Sequence, residues 1–169
     1  MNETLKTMWN RRSIRKYKSD PVPDEDLNLI LEAARRAPTG GNRQKWFIIV
    51  AADKEVRKRV AEACNHQMWM ADAPIILCIV TYPGEGTVNG TIVLDHAILA
   101  SASLGYGTCW VGAHDPAKIK EVLGIPEDHG VICLTPVGIP DEQPGERPRK
   151  KASELFMKDR FGSAMDYSL

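Results

Sequence analysis

No run of about 18 apolar residues occurs in this chain, so no segment is long enough to span a bilayer as a helix. Met1-Asn2-Glu3-Thr4 opens no secretory leader, because the apolar stretch of a leader is missing; the expectation is a cytoplasmic protein with no membrane partner. Charge excess is absent too. Lys+Arg and Asp+Glu are each 22, whereas a dedicated nucleic-acid binder carries a basic surplus, so no nucleic-acid partner is expected. The four cysteines, at 64, 78, 109 and 133, lack C-x-x-C spacing. That argues against a zinc framework and reads as reduced thiols. No G-x-G-x-x-G follows a strand and no G-x-x-x-x-G-K-[ST] occurs, so the usual nucleotide phosphate loops are missing. No convincing Ser/His/Asp or Cys/His set suggests a protein nucleophile, and no catalytic side chain is assigned.

What the chain does have is 169 residues with 43% apolar and 26% charged content, enough for one domain, residues 1–169, with a full core. A short helix over Leu5–Asn10 leads into a basic stretch. Asp24-Glu25-Asp26 suits a first helical turn, and Leu27, Ile30, Leu31 and Ala34 recur at helical spacing up to Pro38. Strands are expected at Trp46–Val50, Ile75–Val80, Thr108–Val111 and Val131–Val137. The second is apolar on both faces and so central. A charged helix is expected over Lys54–Asn65, with Val56, Val60 and Ala63 inward. Tyr82–Val88 reads as a loop. Thr91–Leu104 is a helix with apolar residues all round, either a core helix or one shared between core and subunit interface. Asp115 caps a helix over Pro116–Leu123 with proline at its first position. The region from Asp141 to Pro148 is a proline-rich excursion. The tail from Ser153 has too few apolar residues for a core of its own. Helices around about four strands make an α+β or α/β layered domain.

The chemistry-bearing stretch is Arg11-Arg12-Ser13-Ile14-Arg15-Lys16-Tyr17. Guanidinium groups make charge-assisted, often bidentate hydrogen bonds to phosphate oxygens, and serine adds a hydroxyl donor. Alone, the stretch also reads as a solvated basic helix end or a weak nucleic-acid patch. A second basic cluster, Arg149-Lys150-Lys151, lies far along the chain. A Pro38-Thr39-Gly40-Gly41-Asn42 loop enters the first strand, and Gly105-Tyr106-Gly107-Thr108-Cys109-Trp110-Val111-Gly112 follows the apolar helix.

In that order, from Met8 to Gly162, these segments resemble the nitroreductase family of flavoproteins. The resemblance implies an α+β fold with a mixed, mostly antiparallel sheet of four to five strands flanked by helices. It implies a homodimer with FMN at the subunit interface. It also implies a ping-pong oxidoreductase that takes electrons from NADH or NADPH and passes them through flavin N5 to nitroaromatic, quinone-like or related small acceptors. Arg11, Arg12 and Ser13 match the family's phosphate segment, and Arg15 the cation at the flavin pyrimidine edge. Pro38, Thr39, Gly40 and Asn42 match the loop supplied by the partner subunit. Trp110, Val111 and Gly112 match the segment behind the flavin ring, with a backbone N–H towards N5. Arg149 matches the C-terminal phosphate contact, with Arg147 a weaker candidate.

Lys45 stands where the family's pattern has proline, and Tyr82–Asn89 is short where longer members carry helices over the site. The segment His66-Gln67-Met68-Trp69 should lie near the pyrimidine by position, but its match is loose. A reductive dehalogenase-type flavoenzyme, or an FMN-binding carrier or sensor, remains open as an alternative. Cys109 has nothing basic beside it in sequence to lower its pKa.

Overall fold

The strand Ile75–Thr81 (β2) is buried at all seven positions, and the other layers form around it. In the computed structural model, which describes residues 1–167, β2 pairs antiparallel with Trp46–Ala51 (β1) on one side and Gly130–Gly138 (β4) on the other. Gly107–Thr108 (β3) adds to the far edge of β4, giving the order β1-β2-β4-β3. Successive strand residues point to opposite faces. Ile75, Leu77 and Ile79 meet Asp24–Arg35 (α2) and Thr87–Ser103 (α4) through Ile30, Ala34, Val93, Leu94 and Ala97. Ile76, Cys78 and Val80 meet Lys54–Ala63 (α3), a 3-10 turn at Met68–Asp72 and Pro116–Leu123 (α5) through Val60, Met70 and Ile119. Each fully buried aliphatic side chain is worth roughly 1.5–3 kcal/mol. A central strand facing both layers therefore contributes more than either edge strand.

The caps follow the residue chemistry. Asp53 accepts from the Glu55 and Val56 N–H groups at the start of α3, and Asp115 accepts from Ala117 and Lys118 at the start of α5. Helix α3 stops at Ala63, two residues short of the expected end. Asn65 and His66 both take φ of 55°, which turns the chain out of the helix.

Helix α4 starts at Thr87 rather than at Thr91. Gly90, a poor helix residue, lies inside its first turns because the sheet is so close. A Cβ there would sit 3.0 Å from Ile79 Cγ2 and 3.3 Å from Ile132 Cγ1. Only one side of α4 is core; Ile92, Leu99, Ala100 and Ala102 remain half-buried.

The third strand is shorter than expected. The pairing Gly107↔Gly138 and Thr108↔Val137 resumes in the same register at Val111↔Leu134, which sets Cys109 opposite Pro136. Proline has no N–H to give to the Cys109 carbonyl, so the ladder is interrupted there; the Cys109 N–H donates to Thr135 Oγ1 at 3.3 Å.

Two segments lie outside these layers. The first helix, Glu3–Asn10 (α1), has no buried residue, and Leu5, Met8 and Trp9 are exposed. After the short helix Ala152–Leu155 (α6), Phe156, Met157, Phe161, Met165 and Tyr167 are also exposed.

Candidate functional site

The basic stretch is extended, not a helix end. Ser13 lies in a parallel bridge beside Thr108, and the Ile14 N–H reaches the Thr108 carbonyl at 2.9 Å. Ile14 is buried against Gly107. Three residues on, Tyr17 bridges Pro140, with Lys18 N–H donating to Ile139 O and Asp141 N–H to Lys16 O, both at 2.9 Å. The Tyr17 hydroxyl donates to Ile14 O at 2.5 Å, and burial raises its pKa. Ile14 and Tyr17 thus pin the segment while the arginines between and before them face outward.

Those arginines line a cleft of about 510 Å³ with Ser13, Arg147 and Arg149. Among the described residues, none of Arg11, Arg12, Arg15, Arg147 and Arg149 makes a side-chain ion pair. Arg12 spends one nitrogen on the Trp9 carbonyl at 2.6 Å and the Arg11 carbonyl at 3.0 Å. The rest of its fork is left for a ligand. Five guanidinium groups and a hydroxyl line the cleft against a single carboxylate, Glu146; that cationic excess forms a site for a multivalent anion, and a phosphate dianion fits the donor set.

Two further residues touch Arg15 in ways the sequence alone did not show. Trp69 lies under Arg15, with the guanidinium carbon 5.7 Å from its ring centroid, a cation–π contact. It belongs to the segment expected near the pyrimidine edge. Glu142 accepts the Arg15 backbone N–H at 2.5 Å. Nothing local signals this contact, because 127 positions separate the two residues. Cys109 is buried behind the cleft. Burial raises its pKa, outweighing the opposing pull of Arg15, the Ser13 hydrogen bond and Arg11.

Trp110 to Gly112 continues along the same sheet edge. Val111 is buried through its bridge to Leu134, whereas Trp110 is 40% exposed. The Gly112 N–H finds no backbone acceptor among the described residues.

Pro38, Thr39, Gly40 and Asn42 lie elsewhere. Their loop precedes β1, at the opposite edge of the sheet from β3. Three strand spacings separate the two edges, roughly 14 Å. The loop is held locally: Gly40 N–H donates to Asn89 Oδ1 at 3.0 Å, and Gln44 Nε2 donates to Asn42 Oδ1 at 3.1 Å. Lys45 pairs with Glu85 at 3.2 Å and so ties the loop after β2 to this segment. The structure therefore brings Arg11, Arg12, Ser13, Arg15 and Arg149 into one cleft, with Trp110, Val111 and Gly112 along the same edge. It does not bring the 38–42 loop of the same chain to them. No cluster of His, Cys, Asp and Glu suited to a metal occurs among the described residues, and no helix there is long and apolar enough to cross a membrane.

The sequence profile of the Nitroreductase family matches residues 9–77 and 66–139. This chain belongs to the nitroreductase family. It is 34% identical to a protein of Archaeoglobus fulgidus that bears the provisional name NADH dehydrogenase/NAD(P)H nitroreductase, over 95% of this chain and 97% of that one. It is 31% identical to the FMN reductase [NAD(P)H] of Bacillus subtilis, over 88% of this chain and 70% of the relative. Among solved structures, NADPH:FMN oxidoreductase from Vibrio harveyi complexed with NAD+ superposes with a TM-score of 0.90 at 26% identity, covering 97% of this chain and 80% of that one. The four-stranded sheet between helices is the expected α+β nitroreductase fold. Its ladders are antiparallel, and the Ser13–Thr108 bridge is the parallel element.

Proposed function

We propose that this nitroreductase-family chain, as a single domain over residues 1–169, is an FMN-dependent oxidoreductase that draws electrons from NADH or NADPH. The observation that carries the reading is the cleft of unpaired arginines around Ser13; the names of the relatives supply the cofactor and donor. Bound FMN supplies hydride acceptance and release, which the protein's own side chains lack.

The chain's part is binding, orientation and charge. Arg11, Arg12, Ser13 and Arg149, aided by Arg147, hold the phosphate. Arg15, stacked on Trp69, places a fixed cation at the pyrimidine edge, where negative charge gathers on reduction. The free Gly112 N–H is the donor towards N5, and Trp110 and Val111 back the ring. Pro38, Thr39, Gly40 and Asn42 come from the second subunit of a homodimer, since their own cleft lies at the other edge of the sheet. The half-buried face of α4 and the exposed apolar residues of α1 and of the tail are what the partner covers. Donor and acceptor use one site in turn, in a ping-pong scheme. The acceptor is a nitroaromatic, a quinone or a related small molecule.

The test is the visible spectrum of the purified protein, followed by anaerobic titration with each nicotinamide. A flavin spectrum bleached by NADH or NADPH is expected. A flavin that neither donor reduces points to a carrier, and a colourless protein that fails to take up FMN overturns the reading.

A further inference from the structure

The arm that carries Arg147 and Arg149 to the cleft is held by little of its own. From residue 143 to residue 150 no backbone hydrogen bond holds it among the described residues, and Pro144 and Pro148 have no N–H to offer. Before the arm, the chain is fastened. Lys18 N–H to Ile139 O and Asp141 N–H to Lys16 O, both at 2.9 Å, zip residues 16–18 to residues 139–141. One further contact follows. The Arg15 N–H goes to the side chain of Glu142 at 2.5 Å instead of to a backbone carbonyl. Glu142 is thus the last tether before the arm departs. It also lines the neighbouring cleft beside Arg11 and Arg12, so the tether sits at the root of the arginine cluster it would serve.

We propose that Glu142 is a positioning residue: by accepting the Arg15 N–H it fixes the point at which the 143–150 arm leaves the sheet, and so holds Arg147 and Arg149 over the same anion as Arg11, Arg12 and Ser13. This deepens, and rests on, the reading of the cleft as the FMN phosphate site. A hydrogen bond to an ionised acceptor is strong enough for the purpose. Its role is geometric, since Glu142 carries the wrong charge to touch a phosphate.

The test compares FMN with riboflavin, which shares the ring but lacks the phosphate, in the parent, Glu142→Ala and Glu142→Gln proteins. Glu142→Ala should lower the preference for FMN over riboflavin by roughly tenfold, the scale of one charge-assisted hydrogen bond. Riboflavin affinity itself should hold. Glu142→Gln keeps an acceptor oxygen and should recover most of the preference. A second measurement needs no flavin. Trypsin should cut after Arg149, Lys150 or Lys151 faster in flavin-free Glu142→Ala than in the flavin-free parent, with Glu142→Gln close to the parent. Equal losses of FMN and riboflavin, an unchanged preference, a Glu142→Gln protein as impaired as Glu142→Ala, or an unchanged cleavage rate would each overturn the proposal. A parent that prefers FMN no more than riboflavin is a different failure. It removes the phosphate-site reading, while the cleavage rates still report on the tether.

Discussion

A Cβ placed on Gly107 would lie 2.8 Å from the Cβ of Ile14. The bare backbone of β3 is what lets Ile14 close down, and Ile14 in turn seats Ser13 and its neighbouring arginines on the sheet edge. Gly107→Ala is expected to destabilise the fold by about 1–3 kcal/mol, the usual range for overpacking a close contact. The Ile14 Cβ is part of the chain's stiff root and cannot swing away. Urea unfolding would show the loss of stability. FMN titration should show weaker binding even in buffer where the variant is fully folded, because the displaced segment is the one that carries Ser13.

The phosphate clamp can be tested by charge removal. Arg11→Ala should weaken FMN binding by roughly 1.5–3 kcal/mol, the range for a hydrogen bond to a charged group. Riboflavin affinity should barely change. Isothermal titration with both ligands decides the matter; equal FMN affinity in variant and parent removes Arg11 from the clamp.

Arg15 is expected to act on potential more than on affinity. Its guanidinium is held over Trp69, and a fixed cation at the pyrimidine edge favours the reduced, negatively charged cofactor. Arg15→Gln should therefore lower the midpoint potential of bound FMN. Spectroelectrochemistry gives the sign directly, and an unchanged or raised potential excludes the assignment.

Much of this arrangement could be read from residue types because local rules and burial agree. A six-residue apolar run with no polar face had to be a central strand, and β2 is one. Asp115-Pro116 had to open a helix, and it does. The arginine–serine stretch carried its chemistry openly. What stayed hidden depended on partners across the fold. The length of β3 is set by Pro136 lying opposite Cys109, and Gly90 enters a helix because Ile79 and Ile132 crowd it. Glu142 looks like one more exposed acid in a proline-rich segment until Arg15 is found beside it. Trp69 was expected in the right region, but its contact with Arg15 is visible only in three dimensions.

The four cysteines are all buried, and burial pushes the Cys64 and Cys133 thiols up to about 12 from an ordinary 9.0. Between those values the unfolded chain loses protons that the folded chain keeps. Their contribution to stability is therefore full below about pH 9 and falls as pH rises towards 12. Urea midpoints measured across that range should decline, and Cys64→Ala should flatten the decline. At pH 8 a thiol reagent such as Ellman's should find no reactive cysteine in the native protein and all four after unfolding. Fast labelling of the native protein would contradict the buried thiols.

The placement of Arg11 and Asn42 at opposite edges of one sheet yields the sharpest test of the subunit arrangement. If each FMN rests on Arg11 of one chain and Asn42 of its partner, Arg11→Ala and Asn42→Ala can each inactivate a homodimer, yet a mixed dimer is different. One of its two sites collects both lesions, and the other collects neither. Random reassortment makes half the dimers mixed, each with one intact site of two, so mixing two inactive proteins should restore about a quarter of parental specific activity. The chains must be co-expressed, or unfolded and refolded together, so that subunits exchange. Native mass spectrometry counts the heterodimers. If Arg11 and Asn42 served one FMN from the same chain, every site in every dimer would carry a lesion and activity would stay at the level of the single variants. Absence of recovery with heterodimers present therefore rules out the shared site, whereas recovery near a quarter cannot arise from any arrangement in which both residues act within one chain.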